Sequence, residues 1–207
     1  MSSTAIKYKN NTQGAHRFTM YLFIVTTSMI FAGFTSAFIV QKGRGGAWTS
    51  FGIPKIFILS TILIITSSIF LQIAHIANKR GNMKLTTIGL FLTLVLGSLF
   101  CVCQIEGWKQ LNDLGVYLSF NPNPAGPYFL VITFVHALHV SVAVLFLTIA
   151  FFHSLFLLKK PTDSNIVHKL ESNEKGLLAI RTDLLTLFWH FMGILWLYLY
   201  IFLSFNL

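Results

Sequence analysis

The chain has 207 residues, 55% of them hydrophobic and only 10% charged, and its mean hydropathy is +0.71. A soluble domain carries roughly 25% charged residues to cover its surface, so composition excludes a water-soluble enzyme or binding module. The formal charge of +9 does not point to nucleic acid, because no basic stretch is interleaved with a soluble fold. In a membrane protein such an excess is loop charge that sets orientation.

The first 17 residues are polar, with no signal-peptide apolar core or small-residue cleavage site, so the first helix is predicted to be retained. Residues 18–40 are uncharged, from Arg17 to the break at Gln41-Lys42-Gly43. At 1.5 Å per residue they span roughly 35 Å, enough for a bilayer core of about 30 Å. The second run, 56–77, follows Pro54-Lys55 and stops at Asn78-Lys79-Arg80-Gly81-Asn82. The third covers 85–105. Its Cys101 and Cys103 lie two apart on one helix and point to different faces, so they can neither pair nor form a zinc site. The connection through Asn121-Pro122-Asn123-Pro124-Ala125-Gly126-Pro127 reads as turn rather than helix. The fourth run, 128–158, is unusually long. Residues 159–181 form the longest polar stretch, in which Ser172-Asn173-Glu174 is predicted to cap the helix leading into the fifth run, 184–203.

The predicted fold class is therefore all-α: one membrane domain over residues 1–207, a polytopic bundle of five transmembrane helices. The N-terminal tail and residues 79–84 and 159–181 hold eleven Lys or Arg, against four (Lys42, Arg44, Lys55, Lys109) on the other side. That bias predicts a cytoplasmic N-terminus and an outer C-terminus. Small residues recur every four positions at Gly89, Thr93, Gly97 and Cys101, at Thr133, Ala137 and Ser141, and at Gly33 and Ala37. Such stripes let helices approach closely in lipid.

Few residues can carry chemistry. His75, His136, His139, His153 and His190 lie in or near the spans, with Gln72, Gln104 and Glu106. An ionisable residue in a membrane is expensive and prompts a functional hypothesis. His136 and His139 are three apart and share a helical face, but no carboxylate or further histidine joins them, so hydrogen bonding between helices or to a neighbouring subunit is preferred to a metal site. A bis-histidine haem would need one histidine from each of two helices at matching depth. One His139–His190 pair is conceivable, and no second pair exists. No acid lies deep in a span, and no nucleophile–base pair or phosphate loop is visible. Neither a catalytic nor a metal site is expected.

Longer patterns say more. Phe134-Val-His-Ala-Leu-His-Val140 resembles the T/S-G-x-H-G-x-H-V segment of subunit III of haem-copper terminal oxidases. Phe188-Trp-His-Phe-Met-Gly-Ile-Leu-Trp-Leu-Tyr198 resembles that family's Y/F-W-H-F-x-x-x-x-W pattern. His16-Arg17-Phe18-Thr19-Met20, with Leu22-Phe23-Ile24, is similar to its R-x-G-M-x-L-F-I run, and Gln104-Ile-Glu106-Gly-Trp108 to its Q-x-x-E-W/Y. These patterns fall in the family's order and touch every span but the second.

The resemblance implies the short, five-span form of a cytochrome c oxidase subunit III, without haem or copper of its own. It implies packing against the catalytic subunit I, which holds those cofactors, and further contact with subunit II. Phospholipid bound between helices, support of proton uptake and oxygen access, and an inner or plasma membrane location also follow. A quinol oxidase subunit III is the first alternative and a haem-b membrane anchor the second. By motif, Arg17, His136, His139, Trp189 and His190 are the structural, lipid-facing or subunit-facing positions, with Gln104 and Glu106 at the boundary. Thr27 stands where members often carry a buried carboxylate, and Val135 and Ala137 replace glycines around the histidines.

Overall fold

The computed structural model describes residues 3–44, 48, 50–118, 124–159 and 165–207, with side chains from residue 14 in the first helix and from 174 in the last. The described residues form five helices and no strand: α1 (Ser3–Gly43), α2 (Ile56–Lys79), α3 (Met83–Asp113), α4 (Ala125–Lys159) and α5 (Asn165–Asn206). Each is long and apolar enough to cross a membrane. All-helical structure follows from the solvent: in hydrocarbon a backbone N–H or C=O must find its partner within the segment, and a helix provides that.

The ends are set by local chemistry. Gly81 takes φ 76°, and the Asn82 N–H bonds the Ala77 carbonyl at 3.0 Å, closing α2. The Asn82 side chain then accepts from the Leu85 N–H at 3.2 Å, capping α3. Gly115, at φ 81°, ends α3 in the same way.

Two expected boundaries are corrected. Ala125-Gly126-Pro127, read as turn, forms the first turn of α4. First-turn N–H groups have no helical partner, so proline and glycine cost little there. Asn121, Pro122 and Asn123 lie outside the described residues. Ser172-Asn173-Glu174 does not cap a helix, since α5 starts at Asn165 and runs through it. A polar segment stays helical where water can solvate its side chains, so polarity located the membrane boundary rather than the helix start.

Helices α2, α3, α4 and α5 form a ring of neighbours, with the most extensive contact between α2 and α3; α1 packs against α4 and α5. Of the three small-residue stripes, that on α3 makes the contacts. A Cβ at Gly89 would stand 2.8 Å from the Ala74 Cβ, and one at Gly97 would stand 2.5 Å from the Trp189 Cη2. Neither of the other two stripes is a contact seam along its whole length. Gly33 and Ala37 are exposed, as is Ser141. On α4 the buried face runs through Phe129, Ile132, Thr133, His136, Val140, Ala143 and Leu147, taking in Thr133 and leaving Ser141 outside. Thr133, the first residue of the α4 stripe, does meet a neighbour, since the Trp108 indole of α3 bonds it.

Candidate functional site

The polar side chains inside the bundle fall into three layers. In the interior of the bundle, His136 is fully buried. Its ring stacks on Trp196 at 5.3 Å, with Phe31 and Phe100 edge-on at 6.1 and 6.3 Å. Among the described residues neither His136 nitrogen has a hydrogen-bond partner, and the same holds for both terminal atoms of Gln104. Three contacts fix the antiparallel register of α3 and α4: Thr87 with Ser154 at 2.7 Å, Gly97 with Val144, and the Trp108 Nε1–H to Thr133 at 3.1 Å. That register sets Gln104 against the His136–Ala137 turn. Gln104 is buried inside the bundle, whereas Glu106 is half exposed and pairs with Lys109 at 3.5 Å.

His139 and His190 behave alike. Each Nδ1 lies against the carbonyl one turn back, Val135 at 2.8 Å and Thr186 at 2.7 Å. A carbonyl only accepts, so Nδ1 carries a hydrogen, and in the neutral ring Nε2 is then an acceptor. Trp189 donates to Ser67 at 3.0 Å and Trp196 to Thr61 at 3.0 Å. The indoles of α5 thus reach across to α2, each meeting the hydrogen-bond need that comes with burying it.

Charges gather at the basic end, where α5 emerges. Arg17 holds one oxygen of Asp183 from Nη2 at 2.6 Å and from Nε at 2.8 Å; His75 Nε2 lies 3.8 Å from the other oxygen. Asn78 donates to Thr182 at 2.8 Å. On the α4 side, His153 meets Glu174 at 2.8 Å and Arg181 at 3.3 Å. These contacts tie one end of α5 to α1, α2 and α4. Sequence reasoning missed Asp183, Glu174 and Arg181 as partners. The available signal was an acid one residue before the fifth apolar run, matched by Arg17 one residue before the first.

Among the described residues, no three His, Cys, Asp or Glu side chains are grouped to hold a metal ion. Thr27 is buried on the α1 face between Phe23 and Phe31. Both rings lie against His139, at 6.0 and 5.8 Å. A hydrophobic carbodiimide modifies carboxyl groups sheltered from water. Dicyclohexylcarbodiimide is therefore expected to leave the wild-type spans unmodified and to label Thr27→Glu. Mass spectrometry finding a labelled wild-type span would contradict this.

A family model described as cytochrome c oxidase subunit III matches residues 3–206. The cytochrome c oxidase subunit 3 of Litocranius walleri is 29% identical over 205 residues, covering 92% of this chain and 69% of the relative. Those of Gazella saudiya and Nanger dama match with the same figures.

Proposed function

Because the chain belongs to the cytochrome c oxidase subunit III family, we propose that it is the non-catalytic third subunit of a bacterial-type haem-copper oxidase that takes electrons from cytochrome c. In this reading it holds no haem or copper, packs against catalytic subunit I with subunit II nearby, and binds phospholipid. It steadies the catalytic subunit and supports proton uptake and oxygen access through that lipid. It lies in the inner or plasma membrane, with its basic end in the cytoplasm and its C-terminus outside, as the Lys and Arg bias favours.

The observation that carries the reading is the end-to-end family match. The interior chemistry agrees with it, since Trp189 and Trp196 make interhelical hydrogen bonds and His139 and His190 bond their own helices. Purification in mild detergent tests it. The chain is expected to elute with a larger haem-containing subunit and to carry negligible metal when separated from it. Stoichiometric haem retained by the separated chain would overturn the reading in favour of a haem anchor.

A further inference from the structure

A polar side chain buried away from water is costly unless its hydrogen bonds are made. The buried hydroxyls of this bundle comply. Ser67, Thr93, Thr133 and Thr182 donate to carbonyls of their own helices. The indoles of Trp189 and Trp196 donate to hydroxyls of α2. Gln104 and His136 break the rule with both of their polar atoms. They are 1% and 0% exposed, and none of the four atoms has a partner among the described residues.

The two lie at one level, because the antiparallel register of α3 and α4 sets Gln104 against the turn that carries His136. Phe100, one turn before Gln104, places its ring 6.3 Å from the imidazole. The other rings against His136 are Trp196 and Phe31. The one N–H among these three rings, on Trp196, is already given to Thr61. A neutral imidazole presents one donor and one acceptor; a primary amide presents two donors and a carbonyl oxygen. A direct bond between them would answer one atom on each and leave the others orphaned. The ring nitrogens point apart, so a further partner must be small and must both donate and accept. Water meets those conditions, and a buried water typically bonds about three otherwise unanswered groups.

We propose that Gln104 and His136 form an internal hydration site, in which water bonded to the Gln104 amide and to a His136 nitrogen bridges α3 to α4. The bridge does for α3 and α4 what the indoles do directly for α5 and α2. It stands on burial and hydrogen-bonding capacity alone, independently of the oxidase reading.

Solid-state NMR on the full chain in lipid bilayers, with nitrogen-labelled histidine and glutamine side chains, tests the bridge by magnetisation transfer from water protons. The His136 ring is expected to receive that transfer in the wild type, so the decisive spectrum requires no variant to fold. In Gln104→Leu the transfer to His136 should be lost; Gln104→Met carries the same comparison if leucine does not fold. Gln104→Leu alone should also lower the yield of folded chain. Adding His136→Phe should restore much of that yield, because removing both ends of a bridge leaves no polar group unpaired. A wild-type His136 ring that receives no transfer from water would overturn the proposal, whether it couples directly to the Gln104 amide or to nothing. Transfer that persists undiminished in a folded Gln104 variant would overturn the bridge as well, as would a paired variant recovered no better than Gln104→Leu.

Discussion

Replacing Gly89 with valine is expected to remove most of the folded protein. In the structure a Cβ at this position would lie 2.8 Å from the Ala74 Cβ, 3.1 Å from the Ala74 Cα and 3.1 Å from the Phe70 carbonyl oxygen. Two of these three obstacles are backbone, so no change of rotamer makes room and α2 and α3 must move apart. Those two helices share the most extensive contact in the bundle. Overpacking a core by a carbon or two typically costs about 1–3 kcal/mol. Valine adds three carbons against a rigid wall, so the cost should reach or exceed the top of that range. Size-exclusion profiles in mild detergent check it. Gly33→Ala is the control: nothing lies within 4 Å of that site, and alanine is the better helix former by about 1 kcal/mol, so its profile should match or improve on wild type. A normal profile for Gly89→Val would mean that α2 and α3 do not pack this closely.

Truncating Trp196 to alanine is the second large effect. The indole is buried and joins three helices. It donates to Thr61 on α2, meets Phe57 at 6.1 Å and Phe100 at 5.3 Å, and stacks on His136 of α4. In water such a truncation costs about 3–5 kcal/mol, from lost transfer energy and the cavity left behind. Lipid is as apolar as the bundle interior, which weakens the transfer contribution and leaves the packing loss. A cost of about 3 kcal/mol is expected, read as a lower midpoint of thermal unfolding in detergent. Trp196→Phe keeps most of the ring contacts and loses the bond to Thr61, so it should cost about 1 kcal/mol. Equal effects from the two variants would show that the hydrogen bond, not the packing, holds α5 to α2 and α4.

The five helices were legible in the sequence because a bilayer demands long uncharged runs, and those runs end at Lys79-Arg80-Gly81 or open at Pro127. The α3 stripe through Gly89 and Gly97 was legible for a related reason, since glycine inside a helix is costly unless close approach repays it. Other features depended on what lies opposite. The spacing of Thr133, Ala137 and Ser141 looked the same as that of Gly89, Thr93 and Gly97, yet of these three only Thr133 is buried against a neighbouring helix and Ser141 faces outward. Asp183 acquires a role only when α1 and α2 bring Arg17 and His75 to it. The extension of α5 back to Asn165 was hidden because hydrophobicity marks where a helix enters lipid, not where it begins. His136 and His139 looked like a pair by spacing. The fold gives them different surroundings: one sealed among aromatic rings, the other bonded to its own helix.

The central claim is that these histidines serve the assembly rather than the reaction. It is tested most directly by turnover per assembled haem in complexes carrying His139→Ala or His190→Ala. Neither residue is placed among reacting groups. His139 lies against Phe23 and Phe31, and His190 lines a groove between α2 and α5. Both rings are half-buried and bond carbonyls of their own helices, so losing either costs packing and one hydrogen bond, about 1 kcal/mol, which lowers the amount of complex recovered without touching the chemistry. The expected result is a reduced yield with electron transfer per haem close to that of wild type. Fully assembled complexes, normal in haem content but without turnover, would contradict the account and give the histidines a direct part in catalysis.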